Sequence, residues 1–307
     1  MLARGHDPLF QQAVSGRYPD WAVEGRDWPH REASQFVAAG GYRWHVQRMG
    51  AGPVCLLLHG TGAATHSWRG VMPLLARDFA VIALDLPGHG FTRPDFARKP
   101  TLPNMSAGVA ALLVELDVQP AVIVGHSAGV AIGMQLLLDQ RCDAPLVGFT
   151  PALMPFPGLA ARLFPQLAKM LFTNPFVSVI VSRLMAGRGE VERFLTRATG
   201  SRLEAAGYDQ YRRLFAKSGH CDGAIRMMAN WQLEPLRDAL PTVSQRVLLV
   251  HAQRDSAIPQ AAVMDAARLI PGAATRTMAE LGHLAHEEAP ALAAAMVTEF
   301  FAGQRAN

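Results

Sequence analysis

The apolar residues of this chain gather in short runs. Residues 54–58, 80–84, 121–124, 145–149 and 247–250 are apolar on both faces, as strands sandwiched between two layers of helix must be. Two earlier runs, 34–38 and 42–47, are joined by Gly40-Gly41, a pair that supplies the positive φ angles of a tight hairpin turn. A last strand is expected near residues 275–278. Between these runs, residues 67–75, 106–116, 128–138 and 261–269 repeat at helical spacing. Alternating strand and helix predicts an α/β fold, a mostly parallel sheet with helices on both faces.

The alternation stops between residues 151 and 240. That stretch is rich in Met, Leu, Phe and Arg and is too long for a plain loop. It predicts an inserted helical cap over the carboxyl ends of the strands, where open α/β sheets bind ligands. Residues 1–150 and 241–307 then form the core, with residues 1–33 as an extended lead-in.

Composition narrows the class. The chain has 307 residues, half of them hydrophobic and 18% charged, which fits a globular protein. Mean hydropathy is +0.11, yet no run approaches the roughly 20 apolar residues of a membrane span. The apolar stretch 171–185 is broken by Asn174, Pro175 and Arg183, and the N-terminal Arg4, His6 and Asp7 do not read as a signal peptide. A cytoplasmic protein is expected, one that at most touches a membrane surface. Net charge is +4, but Arg193, Arg197 and Arg202 have no interleaved aromatics, so a nucleic-acid partner is not expected. Cys55, Cys142 and Cys221 are too scattered for a zinc site or a disulfide framework.

Candidate chemistry lies at strand ends. Gly125-His126-Ser127-Ala128-Gly129 is a G-x-S-x-G between a buried strand and a small-residue helix, the context of a nucleophile elbow. A serine hydroxyl needs a base. Two histidines compete in Gly282-His283-Leu284-Ala285-His286: His283 lies in the loop and is preferred, whereas His286 sits nearer the following helix. The imidazole needs a carboxylate to fix its tautomer. Asp255, just past the strand ending at Val250, fills that place, since Phe149-Thr150-Pro151 offers none at the alternative position. The order Ser, Asp, His is that of α/β-hydrolases. For the oxyanion, the amides of Ala128 and Thr61 are the expected donors, with Gly62 as the alternative to Thr61. His59 reads as a prop for that loop, and Asp85-Leu86-Pro87-Gly88-His89-Gly90 as a structural turn. His220-Cys221-Asp222 carries too weak a pattern for a site. No metal site and no cofactor are expected.

The motifs H-G-T-G, D-L-P-G-H-G and G-H-S-A-G, with the Asp255 loop and G-H-x-x-H-x-E-x-P, resemble the α/β-hydrolase superfamily over nearly the whole chain. Further segments are distinctive: Trp28-Pro29-His30-Arg31, Ala39-Gly40-Gly41, Trp44-His45-Val46-Gln47, the run from His59 to Trp68, Ala152-Leu153-Met154-Pro155-Phe156, and Gly282 to Glu288. They resemble the family of magnesium chelatase accessory proteins of bacteriochlorophyll synthesis. That resemblance implies a role around Mg²⁺ insertion into protoporphyrin IX, with chelatase subunits as partners.

Two functional classes follow. One is a serine hydrolase cleaving an ester or similar acyl bond of a small molecule, in or near tetrapyrrole synthesis. The other is a non-catalytic accessory protein whose apolar cap holds a porphyrin or docks on the chelatase. Met154, Phe156 and Phe164 are the candidate substrate contacts, within an apolar set that includes Met170, Phe172, Phe176 and Met185. Carbon–carbon hydrolysis on the same fold is a third chemistry; a serine at the nucleophile position argues against a dehalogenase.

Overall fold

The computed structural model describes residues 16–95, 97–155, 175–187 and 189–303. Eight strands form one sheet: β1 Ser34–Ala39, β2 Tyr42–Met49, β3 Val54–Leu58, β4 Ala80–Leu84, β5 Val122–His126, β6 Leu146–Phe149, β7 Val247–Ala252 and β8 Ala274–Met278. Their order is β1-β2-β4-β3-β5-β6-β7-β8. The β1–β2 and β2–β4 pairs are antiparallel and every other pair is parallel. Gly40 (φ 57°) and Gly41 (φ 86°) make the β1–β2 turn.

The central strands are apolar throughout because each face meets a separate core. Leu56 and Leu58 join Ile82, Leu84 and Ile123 on one side, while Cys55 and Leu57 join Val81, Ala83, Val122 and Val124 on the other. This is the two-residue alternation of a pleated strand. The helices of the core are α1 Met72–Leu75, α2 Leu102–Glu115, α3 Ala128–Leu138, α9 Gln260–Leu269, α10 Ala285–Glu288 and α11 Pro290–Ala302. Val109, Val130 and Val263 bring α2, α3 and α9 to the first face; Met72 and Val297 bring α1 and α11 to the second.

Between β6 and β7 lie α4 Pro175–Met185, α5 Glu190–Thr199, α6 Ala205–Phe215, α7 Ser218–Ala229 and α8 Glu234–Ala239. They touch the loops that leave the carboxyl ends of the strands. The ring of Phe215 lies 3.6 Å from the Cβ position of Gly62, after β3, and Gly223 packs directly on the backbone of Gly88, after β4. No helix among the described residues is long and apolar enough to cross a membrane.

Several elements differ from the sequence reading. The helix expected at 67–75 is a 3₁₀ turn, Thr65–Trp68, followed by the four-residue α1. Gly70, packed against the ring of Pro290, stands between them. Helix α2 starts at Leu102 rather than 106: Thr101 Oγ1 accepts the Asn104 N–H at 3.4 Å, and Pro103 is tolerated in a first turn that has no partner for its missing donor. Residues 16–33 are not extended. They form turns whose rings pack inward: Trp21 meets Phe36 and Phe91 edge-on, and Trp28 is buried against Phe91 and His66. The rest of the lead-in lies outside the described residues. All three cysteines are buried free thiols.

Candidate active site

Ser127 joins β5 to α3 with φ 51° and ψ −117°, a conformation that L-residues avoid and that holds the side chain out at the end of the sheet. Its N–H donates to Phe149 O (3.0 Å) and its carbonyl accepts from Val130 N–H (3.1 Å). The flanking glycines make the bend feasible. A Cβ on Gly129 would lie 2.1 Å from Leu58 O, and one on Gly125 would lie 2.6 Å from Val130 N. The dense packing of the elbow follows from having no side chain at these two positions.

His283 and Asp255 meet. Asp255 Oδ2 lies 2.8 Å from His283 Nδ1, and this carboxylate is fully enclosed. Its Oδ1 accepts the N–H groups of Ala257 (2.7 Å) and Ile258 (2.8 Å), so the loop fixes which oxygen faces the imidazole. The His283 carbonyl accepts from His126 Nε2 (3.0 Å) and Thr150 Oγ1 (2.9 Å). Thr150, which occupies the alternative acid position, thus anchors the His283 loop instead. No hydrogen bond joins Ser127 Oγ to His283 Nε2 among the described residues; the His283 ring lies beside that of His126, with centroids 4.8 Å apart. Such contacts often tighten only once substrate is bound.

His286 has a different environment. It is fully buried against Trp68 (4.6 Å) and His126 (4.3 Å), and neither ring nitrogen makes a hydrogen bond. Burial holds its basicity well below the ordinary histidine value, with His283 and Arg69 acting in the same direction.

The loop after β3 runs beside the elbow. A Cβ on Gly60 would lie 3.0 Å from Ser127 Cβ. Ala63 N–H donates to Gly60 O (3.2 Å), closing a turn with Gly62 at φ 79°. Thr61 and Gly62 therefore lie at the centre of a fixed turn next to Ser127, while Ala128 N–H begins a helix and has no partner within it. His59 braces this loop: its Nδ1 donates to Gly60 O (2.7 Å) and its Nε2 accepts Leu86 N–H (2.9 Å).

Asp85 is the hub of the next loop. Its Oδ1 accepts Thr65 N–H (2.7 Å); its Oδ2 accepts Phe91 N–H (2.8 Å) and meets His45 Nδ1 (2.8 Å). Burial alone would push this carboxyl up, but His45 and these donors outweigh it and hold it far below the usual range. Among the described residues, no group of three His, Cys, Asp or Glu side chains is placed to hold a metal ion.

His220, on α7, joins two of these loops. Its Nε2 donates to Gly62 O (3.1 Å) and its Nδ1 accepts Gly90 N–H (3.1 Å). The bond accepted by Nδ1 needs the neutral ring, and burial lowers its pKa to about 4, although the bond to Gly62 pulls the other way. The local sequence gave no sign of this role, since the partners lie 130 and 158 residues away. A second buried connection joins Glu287 to Arg69 and to the Tyr211 hydroxyl (2.6 Å). Burial pushes the Glu287 carboxyl up to about 7, although Arg69 and Tyr211 pull the other way.

Of the candidate substrate contacts, Met154 is half-buried against the core that includes α3. Phe156 and Phe164 lie outside the described residues, as do Met170 and Phe172. Met185 packs against the cluster of Val191, Leu195 and Leu284, and Phe176 is 69% exposed.

Residues 55–296 match the model of the alpha/beta hydrolase family. The chain belongs to that family. This α/β-hydrolase is 39% identical over 279 residues to the magnesium-chelatase 30 kDa subunit of Rhodobacter capsulatus, covering 90% of this chain and 97% of that one. It is 30% identical over 248 residues to a pimeloyl-[acyl-carrier protein] methyl ester esterase of Xanthomonas oryzae pv. oryzae, covering 78% and 91%. Among solved structures, the epoxide hydrolase CorEH shares the fold with a TM-score of 0.74 at 21% identity, covering 88% of this α/β-hydrolase and 99% of that chain.

Proposed function

We propose that this α/β-hydrolase is a serine hydrolase that cleaves an ester or similar acyl bond of a small molecule, with Ser127, His283 and Asp255 as its triad. The observation that carries the reading is the 2.8 Å Asp255–His283 pair, held beside a serine in a strained elbow. Ser127 Oγ attacks the acyl carbon while His283 Nε2 takes its proton. Asp255 keeps the Nδ1 proton in place and stabilises the imidazolium. The amides of Ala128 and Thr61, with Gly62 as the alternative, receive the developing oxyanion. His283 then returns the proton to the leaving group, and water releases the acyl group by the same steps. Residues 151–240 act as a cap over this site, and Met154, Phe156 and Phe164 are its candidate substrate contacts. Labelling by a fluorophosphonate tests the reading: Ser127 takes up the probe, Ser127→Ala does not, and an unlabelled folded wild type would sink it.

The name of the 39% identical relative supports a physiological substrate in tetrapyrrole synthesis, at or near magnesium chelation. That name also favours a second reading, in which the protein associates with chelatase subunits or holds a porphyrin and needs no acyl chemistry. Pigment synthesis in a deletion strain separates the two. Full rescue by Ser127→Ala supports the second reading, and rescue by wild type alone supports the first. A cytoplasmic protein, with contact to a membrane surface at most, fits either.

A further inference from the structure

The segment inserted between β6 and β7 does more than pass over the site. At the junction of α5 and α6, its backbone is packed into both the Asp255 loop and the His283 loop. His283 N–H donates to Thr199 O (2.7 Å), and Leu284 N–H donates to Ser201 Oγ (2.8 Å). The residue on either side of the His283–Leu284 peptide is thus tied to one turn. Ser201 is itself fixed, 1% exposed, with its N–H on Thr199 Oγ1 (3.2 Å). The Glu288 carboxylate closes the ring by accepting Gly282 N–H (2.8 Å) on one oxygen and Arg202 N–H (3.0 Å) on the other.

Two glycines permit this approach. A Cβ on Gly282 would lie 2.4 Å from Ser201 N, and a Cβ on Gly200 would lie 2.1 Å from Arg254 O. Gly200 also ends α5 with φ 70°, where other L-residues are strained. The same four-residue turn therefore touches the backbone one residue before Asp255 and the backbone on both sides of His283.

We propose that the turn 199–202 positions the Asp255–His283 pair, with Ser201 as a positioning residue that sets the orientation of the imidazole. This rests on the reading of His283 as base and Asp255 as its partner. The main chain at His283 is held from two opposed sides, its N–H by Thr199 and its carbonyl by His126 and Thr150. Loss of the Ser201 hydroxyl leaves the Leu284 N–H buried without an acceptor and loosens the His283–Leu284 peptide from the turn, with the Thr199 bond to His283 N–H left in place.

The test uses the full chain as wild type, Ser201→Ala and Ser201→Thr. Proton NMR follows the His283 Nδ1 proton shared with Asp255, assigned by its absence in His283→Gln; this readout requires no turnover. Ser201→Ala is expected to speed exchange of that proton by about tenfold, reporting easier local opening. The variant should also slow fluorophosphonate labelling of Ser127 roughly 10–100-fold, as small misplacements of a catalytic group do. Ser201→Thr, which keeps the hydroxyl, should restore both. A lower Tm with unchanged proton exchange and an unchanged pH profile of labelling would overturn the proposal, because the turn would then be structural only. If the wild type is not labelled but the Nδ1 proton still responds to Ser201→Ala, the hydrolase reading fails and the positioning stands. Should Ser201→Ala not fold, Glu288→Gln makes the same comparison, since it keeps the volume and one of the two acceptors.

Discussion

His126, the residue before Ser127, donates its Nε2 proton to the main-chain carbonyl of His283 at 3.0 Å. The elbow and the His283 loop are therefore registered by a bond from the side chain next to Ser127 to the main chain of His283. His126→Gln can keep a donor near the Nε2 position, whereas His126→Leu cannot. The leucine variant should lose roughly 1–3 kcal/mol of stability and the glutamine variant less. Labelling rates should fall in the same order, and equal rates in both would show that the bond does not register the two loops.

The neutral state of His220 makes the protein sensitive to acid. Its pKa of about 4 in the folded chain lies below the ordinary 6.5, so the unfolded chain binds the proton first. The stability it contributes is complete above pH 6.5 and is lost as the pH falls toward 4, a difference of roughly 3 kcal/mol. His59, His66, His89, His126 and His286 are held low by burial as well and act in the same sense. Glu287, pushed up to about 7 from 4.5, has the opposite slope between those values. The decisive measurement is therefore a difference. Denaturant unfolding from pH 7 downward should show a shallower loss in His220→Gln than in wild type, and parallel curves would refute the assignment.

Buried and exposed ion pairs should differ sharply. Glu287 is fully buried with Arg69 and Tyr211, whereas Arg237 and Asp238 pair in solvent, 39% and 66% exposed. Glu287→Ala leaves the mostly buried Arg69 guanidinium with only the exposed Glu204 carboxylate (3.4 Å) as a charged partner and should cost about 3 kcal/mol. Arg237→Ala should cost about 0–1 kcal/mol. Comparable losses of Tm in the two variants would contradict the burial seen around Glu287.

How much of this was legible in the sequence depended on the distance between partners. The central strands were legible because burial on both faces leaves an unbroken apolar run, as in Val54–Leu58. Ser127, Asp255 and His283 were legible as candidates because each follows a strand end, where the fold collects its loops. The bonds around them were not. Thr150 looked like a missing acid and is an anchor; His220 looked like a stray motif and is a bridge. The turn 199–202 shows locally only as a glycine ending a helix, and its partners lie at residues 254 and 282–288. No local period encodes such contacts. The lead-in was misread for a related reason: Trp21 and Trp28 have no periodic neighbours, and only the fold supplies Phe36 and Phe91 for them to pack on.

The geometry at Asp255 makes Asp255→Asn an informative variant. Oδ1 already accepts two backbone N–H groups, from Ala257 and Ile258, and only an oxygen can do so. An asparagine placed there must keep its carbonyl on those donors and turn its NH₂ toward His283. That group donates to Nδ1, which must then give up its own proton. The proton moves to Nε2, the nitrogen that in the proposed mechanism accepts one from Ser127. The imidazole is thus held in the wrong tautomer while the loop and the packing stay as they are. Labelling of Ser127 should fall roughly 10³–10⁴-fold with little change in Tm. Asp255→Ala frees the imidazole to choose either tautomer, but it also removes the acceptor from the two N–H groups and should lower Tm as well. A labelling rate in Asp255→Asn within a few-fold of wild type, with the fold retained, would mean that the carboxylate does not set the tautomer of His283.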